Sequence, residues 1–250
     1  MTPEAFFAEH DRAAVAFSGG VDSAYLLYLA KQYGADVCAY YVCAQFQPAF
    51  ERKDARCLAG ELAVTMKELP VDVLAVAHVA ENPPDRCYYC KQAIFGTIIR
   101  AAEADGYTEV FDGTNASDDA ADRPGMRALA EMHVLSPLRI LGLTKDEIRR
   151  RSKEAGLFTW DKPAYACLAT RIPSGMPITQ EALARTEAAE GALFEAGFSD
   201  FRVRTTKEGS ALLQVTGAQM AHAAAEWDGI RKTLLRWYPD ASLDDVPRGS

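Results

Sequence analysis

Ser18-Gly19-Gly20-Val21-Asp22-Ser23 stands between an apolar run at 13–17 and an Ala/Leu-rich stretch at 24–33. Together these read as strand, glycine turn and helix. Such a turn aims backbone N–H groups and a helix N-terminus at one point, which makes it an anion site. Gly19 and Gly20 let the backbone approach an anion with no Cβ in the way. Ser18 and Ser23 add hydroxyl donors. Asp22 is out of place beside a phosphate unless a Mg2+ lies between them. The Lys-Ser/Thr ending of a Walker A loop is missing, so the six residues are not that motif. The plain alternative is an ordinary glycine turn after a buried strand.

Outward from this stretch, strand-like and helix-like segments alternate. Residues 13–17 and 37–42 are short and apolar, and 109–112 and 134–135 are weaker strand candidates. Helical patterns cover 24–33, 50–63, 89–104, 124–132 and 145–155. The alternation predicts a parallel sheet with helices on both faces. Ligands of such sheets bind outside the carboxyl ends of the strands. The 18–23 turn lies at such an end, and so does Gly113-Thr114-Asn115. From Ile172 the texture changes. Residues 172–177 hold two prolines and a glycine and read as a linker. Thr179 suits the N-cap of a helix through Ala196. Residues 201–205 and 211–215 alternate like a strand pair joined by Lys207-Glu208-Gly209, and a long helix is predicted over 218–237. The expected fold class is α/β, a Rossmann-like parallel-sheet domain over 1–171. A small α+β domain over 172–250 follows, for substrate binding or oligomerisation.

The 250 residues are 49% hydrophobic and 25% charged, a globular composition with enough chain for a sizeable core. A net charge of −8 argues against wrapping a polyanion such as tRNA, so nucleic acid is not an expected partner. No apolar run approaches the length of about 18 residues that a membrane span needs. The start of the chain has no basic n-region with an apolar core, so a cytoplasmic protein with six reduced cysteines is expected. Residues 246–250 read equally as a protease-site remnant and as native chain.

Four groups of residues carry candidate chemistry. Leu143-Thr144-Lys145-Asp146-Glu147-Ile148 starts a helix, with Thr144 and Glu147 at capping-box spacing. Lys145 then takes the first helical position, where its charge opposes the macrodipole by roughly a few tenths of a kcal/mol. An anionic ligand would explain it; a solvated lysine is the other reading. Gly113-Thr114-Asn115-Ala116-Ser117-Asp118-Asp119 ends in acids and suits Mg2+ or a nucleotide, or equally a polar loop with Asx turns. Cys87-Tyr88-Tyr89-Cys90-Lys91 is a C-x-x-C opening a helix, and Cys167 follows 77 residues after Cys90. Three thiolates can hold three irons of a [4Fe–4S] cluster and leave the fourth open. A redox C-x-x-C and three unrelated cysteines are the other readings. Zinc has no evident fourth ligand. Cys38, Cys43 and Cys57 read as packing residues. Arg202 and Arg204 flank Val203 on one face of a candidate strand, with Arg171 as a third candidate. Guanidiniums on one face suit a phosphate or carboxylate, or form a solvated strand face.

The 18–23 loop resembles the PP-loop of ATP pyrophosphatases, which split ATP into AMP and pyrophosphate. Over nearly its whole length the chain resembles the LarE family, the PP-loop sulfur-transferases of nickel-pincer nucleotide cofactor synthesis. The resemblance rests further on Asp85-Arg86-Cys87-Tyr88-Tyr89-Cys90-Lys91, Gly113-Thr114-Asn115, Leu135-Ser136-Pro137-Leu138, Leu143-Thr144-Lys145, Asp161-Lys162-Pro163-Ala164, Cys167-Leu168-Ala169-Thr170-Arg171 and Arg202-Val203-Arg204. It implies a PP-loop ATP pyrophosphatase domain, ATP and Mg2+ as cofactors, a small-molecule nucleotide substrate and a homo-oligomer. In that family ATP adenylates a carboxylate of pyridinium-3,5-biscarboxylic acid mononucleotide, and a sulfur nucleophile displaces AMP. A carboxylate resists a thiolate, whereas an acyl adenylate offers an electrophilic carbon and a good leaving group. The resemblance assigns Ser18, Gly19, Gly20, Asp22 and Ser23 to the pyrophosphate, with Lys145 a phosphate ligand. It assigns Arg171, Arg202 and Arg204 to the substrate nucleotide, with Glu190 beside it. Asp22 and Cys167 are the expected catalytic residues. One branch of the family sacrifices the cysteine matching Cys167; the other binds an iron–sulfur cluster through three cysteines and passes on a cluster-bound sulfide. All three, Cys87, Cys90 and Cys167, stand here, which favours the cluster branch. Thr170 departs from the expected serine but keeps a hydroxyl. An amide ligase similar to NAD synthetase, a tRNA thiolase and a non-catalytic nucleotide sensor are the alternatives.

Overall fold

The computed structural model describes residues 1–118, 124–163 and 165–248. Asp119 of the acidic loop, Ala164 of the 161–164 stretch, and Gly249 and Ser250 lie outside the described residues. In chain order the elements are α1 (Pro3–Glu9), β1 (Arg12–Ala16), α2 (Val21–Gln32), β2 (Asp36–Cys43), α3 (Ala49–Glu61), β3 (Met66–Pro70), the short α4 (Ala77–Ala80), α5 (Arg86–Ala104) and β4 (Val110–Phe111). Then come α6 (Pro124–Glu131), the short α7 (Pro137–Ile140), α8 (Lys145–Glu154), α9 (Gln180–Glu195), β5 (Arg202–Thr205), β6 (Ala211–Gln214), α10 (Gly217–Ala225), α11 (Trp227–Leu234) and β7 (Ala241–Leu243).

The chain forms two compact units. The first holds Met1–Ala44, Ala49–Val76 and Asp85–Lys162; the second holds Gln45–Pro48, Ala77–Pro84 and Pro163–Ser250. Composition alone puts the boundary at 171/172. The first unit is built on a parallel sheet of order β3-β2-β1-β4. Leu135 adds one further parallel bridge, to Phe111. Strand alternation creates two cores. Ala13, Val15, Val37, Ala39 and Tyr41 pack on one face with Phe6, Leu26, Leu27 and Ile148. Ala14, Cys38, Tyr40 and Val42 pack on the other with Phe95, Ile98 and Leu129. This is the doubly covered parallel sheet that apolar β-runs require. From β1 the chain moves one way, to β2 and β3, and later returns to place β4 on β1's other side. A crevice opens where the strand order reverses, and the loops after β1 and β4 leave the sheet there. β3 escapes the sequence pattern because it is a mixed-polarity edge strand ending in Pro70, a residue sheet edges tolerate.

The second unit has a three-stranded sheet, with β6 antiparallel to β5 and parallel to β7. Its core gathers Leu193, Phe198, Phe201, Val203, Leu213, Ile230 and Leu234. The long helix expected over 218–237 is two helices. The chain leaves helical geometry at Glu226, at φ −96° and ψ 11°. The break turns Ala223 of α10 and Ile230 and Leu234 of α11 onto one core. The stretch 172–177, read as a linker, is tied down. Asn82, 1% exposed, donates its amide to the carbonyls of Pro173 (2.8 Å) and Met176 (3.0 Å), and its own carbonyl accepts from the Gly175 amide (2.8 Å). Among the described residues, no helix is long and apolar enough to cross a membrane.

Candidate functional site

The glycine turn is held from both sides. Ala13, Ala14 and Val15 are fully buried, and the Phe17 amide still donates to Tyr40 across the ladder (3.0 Å). The chain therefore leaves the sheet at a fixed point. Gly19 has φ +73°, and a Cβ there would sit 3.2 Å from both the Ala55 Cβ and the Glu51 carbonyl oxygen. Conformation and space both demand glycine. Gly20 is the N-cap of α2 and no side chain caps the helix. The amides of Val21, Asp22 and Ser23 precede the first intrahelical bond, made by Ala24 to Gly20 (3.0 Å). These free N–H groups are what an anion binds. Ser18 and Ser23 face each other at 3.1 Å, and the Ser18 amide donates to Ser23 Oγ (3.3 Å).

The loop after β4 closes on this turn. A Cβ on Gly113 would meet the Ser23 amide nitrogen at 3.0 Å, so the two backbones pack directly. Asn115 Nδ2 donates to Asp22 Oδ1 (3.4 Å), and Lys145 Nζ donates to Asp22 Oδ2 (2.5 Å). Thr144 caps α8 by accepting from the Glu147 amide (3.4 Å), and the Lys145 amide donates to Ser117 Oγ (3.0 Å). The cation at the first helical position thus has an anionic partner, the Asp22 carboxylate. Lys162 Nζ donates to Asp54 Oδ2 (2.7 Å) and to the Gly19 carbonyl (3.4 Å). Two lysines therefore flank the turn, each held by a carboxylate.

Cys87 and Cys90 lie in the first turns of α5, one helical turn apart, Cys87 exposed and Cys90 half-buried. Arg86, largely buried, donates from Nη2 to Cys87 Sγ (3.7 Å). Lys91 follows on the same helix. Burial pushes its ammonium pKa down, while Asp112, Cys87, Asp118 and Cys90 act in the opposite direction. Asp112 is buried and accepts from Ser136 Oγ (2.6 Å) and from the Thr114 hydroxyl. None of the six cysteines forms a disulfide. Burial pushes the Cys38 and Cys43 thiols up, which suits packing residues. Among the described residues, no group of three or more His, Cys, Asp or Glu side chains is gathered to hold a metal ion.

Cys167 lies in the second unit, half-buried, just before a 3-10 turn at Leu168–Arg171. Arg171, 1% exposed, clamps that turn. Its Nη1 donates to the carbonyls of Ala166 (2.6 Å) and Cys167 (3.3 Å), and its Nε donates to Glu190 Oε1 (2.9 Å). Glu190, also 1% exposed, accepts in addition from the Val203 amide (2.9 Å) and the Tyr165 hydroxyl. Arg171 and Glu190 thus spend themselves on each other and on the Cys167 loop. Val203 enters the core, and Arg202 and Arg204 turn to the opposite face of β5. The Arg202 guanidinium stands 5.1 Å from the Tyr165 ring centroid, and Arg204 Nη1 donates to the Thr170 carbonyl (3.2 Å). Burial and the neighbouring Arg171 charge push the Arg202 pKa down to about 10. A desolvated cation beside another cation favours an arriving anion. Sequence reading alone misses Asp54, Tyr165 and the placement of Lys91; no local pattern marks residues whose partners lie this far along the chain.

Residues 11–108 match the family model described as the tRNA methyl transferase HUP domain. An uncharacterized protein of Synechocystis sp. is 37% identical over 201 residues, 80% of this chain and 75% of the relative. The pyridinium-3,5-bisthiocarboxylic acid mononucleotide synthase of Lactiplantibacillus plantarum is 33% identical over 195 residues, 77% of this chain and 71% of that enzyme. A tRNA-specific 2-thiouridylase of Streptomyces avermitilis is 28% identical across 61% of this chain and 51% of its own length.

Proposed function

This chain belongs to the LarE family of PP-loop enzymes, and we propose that it uses ATP to exchange oxygen for sulfur on the carboxylates of pyridinium-3,5-biscarboxylic acid mononucleotide. The observation that carries the reading is the uncapped N-terminus of α2 behind Ser18–Gly19–Gly20, with Asp22 and Lys145 paired at its mouth. Free amides and two serine hydroxyls suit the pyrophosphate end of ATP. Asp22 would supply a hard carboxylate oxygen to a Mg2+ brought by ATP, the ligand type that ion prefers. Lys145 and Lys162 then exchange their carboxylate partners for phosphate oxygens.

In the first half-reaction a substrate carboxylate oxygen attacks the α-phosphorus, and the bond to pyrophosphate breaks. In the second a sulfur nucleophile attacks the acyl carbon. The C–S bond forms, the C–O bond breaks, and the oxygen leaves on AMP with the electron pair. Arg202 and Arg204 hold the anionic groups of the substrate, through charge-assisted hydrogen bonds. Arg171 and Glu190 act on Cys167 by fixing the backbone that carries it.

For the sulfur source we propose a [4Fe–4S] cluster on Cys87, Cys90 and Cys167. The donor chemistry fits: three thiols outside any disulfide, two of them one helical turn apart on α5, with Cys87 Sγ accepting from Arg86 Nη2 (3.7 Å). When bound, such a cluster offers an iron with an open position for a sulfide.

The test is anaerobic purification with iron and sulfide assays, followed by turnover with ATP, Mg2+ and the biscarboxylic nucleotide. AMP, pyrophosphate and the thiocarboxylate are the expected products, all lost in Asp22→Ala. ADP and phosphate as products would refute the adenylation reading. Cys87→Ala and Cys90→Ala should lose iron and transfer together. If both keep full activity while Cys167 loses the mass of hydrogen sulfide in one turnover, Cys167 itself is the donor.

A further inference from the structure

Lys91 stands on α5 directly after Cys90. Its alkyl stem is clamped: a Cβ on Gly125 would stand 3.1 Å from both its Cδ and its Cε, and its ammonium lies 5.9 Å from the Phe95 ring centroid. Its ammonium has no hydrogen-bond or ion-pair partner among the described residues. The charges acting on it are Asp112 and Asp118 on the loop after β4 and the thiols of Cys87 and Cys90. Asp112 is engaged with Ser136 and Thr114, and Asp118 with the Asn115 amide (3.0 Å). The loop after β4 packs on the glycine turn through Gly113. Lys91 is therefore a held cation, unpaired among the described residues, that feels the charges of both the loop after β4 and the C-x-x-C. Lys145 and Lys162, by contrast, each sit in an ion pair, with Asp22 and Asp54.

We propose that Lys91 is a catalytic residue of the sulfur-transfer half-reaction, its ammonium binding the phosphate of the acyl adenylate and stabilising AMP as the leaving group. The inference rests on the adenylation reading above. As sulfur attacks the acyl carbon, the C–O bond breaks and a second negative charge gathers on the departing phosphate. A preorganised cation in a half-buried place stabilises that charge without having to be recruited from water. A solvated lysine would first lose its hydration and its rotamer freedom. The close approach of Gly125 to the Lys91 stem already restricts that freedom.

The experiment separates the two half-reactions in Lys91→Met and Lys91→Arg. Adenylation is read as substrate-dependent exchange of labelled pyrophosphate into ATP. Transfer is read as single-turnover release of AMP with thiocarboxylate formation. Thermal melting and ATP affinity are measured alongside. Lys91→Met should melt like wild type, bind ATP within about twofold and keep exchange. Its transfer should fall by about 10²-fold, the usual cost of one lost charge-stabilising donor. Lys91→Arg should recover a large part of transfer, which a merely structural role does not predict. Wild-type transfer in Lys91→Met overturns the proposal, and so does a parallel loss of ATP binding and exchange, which would make Lys91 a ligand of ATP itself. Absence of exchange in the wild type would instead overturn the adenylation reading, and the role of Lys91 with it.

Discussion

Gly113→Ala isolates the packing of the two nucleotide loops, because a single methyl group is the whole perturbation. The added Cβ would lie 3.0 Å from the Ser23 amide nitrogen, 3.3 Å from the Ser23 Cα and 3.4 Å from the Asp22 Cβ. Two of these three atoms are backbone at the start of α2, so no flexible side chain can swing away. Ordinary contact begins near 3.4 Å, so the loop after β4 and the helix start must part by a few tenths of an ångström. Over-packing of a well-filled site costs about 1–3 kcal/mol, and the rigid partners place this case near about 2. For a chain of this size that is a fall in melting temperature of about 4–8 °C. The shift also moves the free amides that hold the anion, so ATP affinity should fall at least about tenfold. Gly60→Ala is the control. Gly60 lies in α3 with no heavy atom within 4 Å of the added Cβ, and the change should stabilise by up to about 1 kcal/mol through helix propensity. The same Gly→Ala change thus has opposite signs at two positions of one unit. Differential scanning fluorimetry and titration calorimetry with Mg2+ and a non-hydrolysable ATP analogue read both quantities. A Gly113→Ala protein that melts and binds like wild type would refute the close approach.

Glu190→Gln should unfold the second unit or leave it marginal. The change strips the countercharge from Arg171, itself 1% exposed, and breaking such a buried pair costs about 3–5 kcal/mol. Near-UV circular dichroism during thermal melting checks this, and a shift of under about 2 °C would contradict it. Glu68 carries a pH prediction. Hydrogen bonds from Arg56 and Arg52 lower its pKa from 4.5 to about 2. Its contribution is therefore fully present above pH 4.5 and fades as pH falls from 4.5 to about 2. Glu68→Gln should be less stable than wild type at neutral pH, with the difference closing across that window. The two arginines are half exposed, so added salt should shrink it as well. A difference that does not change between pH 5 and pH 2 would show that the ion pairs contribute nothing.

Much of this architecture can be read from local pattern. Apolar strands followed by glycine turns and capped helices are short-range signals. The structure forms β1, α2, β2, α5 and α8 within a few residues of the expected bounds. Thr144 and Thr179 cap the helices that their positions announce. What escapes is whatever depends on a distant partner. β3 pairs by edge hydrogen bonds despite mixed polarity, and β7 joins its sheet only because β6 is already there. Asn82 gives no hint in sequence that it will order residues 172–177, ninety positions away. Lys145 shows the boundary well. Its place at a helix start is readable and marks it as anomalous, but its partner, Asp22, is 123 residues distant.

Three ion pairs, two in the first unit and one in the second, share a common logic. Asp22 with Lys145, Asp54 with Lys162, and Glu190 with Arg171 each pair a cation with a carboxylate. An unpaired, desolvated cation is costly, so a binding site must either leave it wet or pair it internally until the ligand arrives. The two lysine pairs are partly exposed, Lys145 31% and Lys162 16%, so the attraction to their carboxylates is screened and partner exchange is cheap. The Arg171 pair is sealed from water on both sides, so exchange there would strand Glu190. Burial therefore sorts the three. The lysines can hand their charge to a phosphate, whereas Arg171 is bonded to Glu190 and to the backbone carbonyls of Ala166 and Cys167.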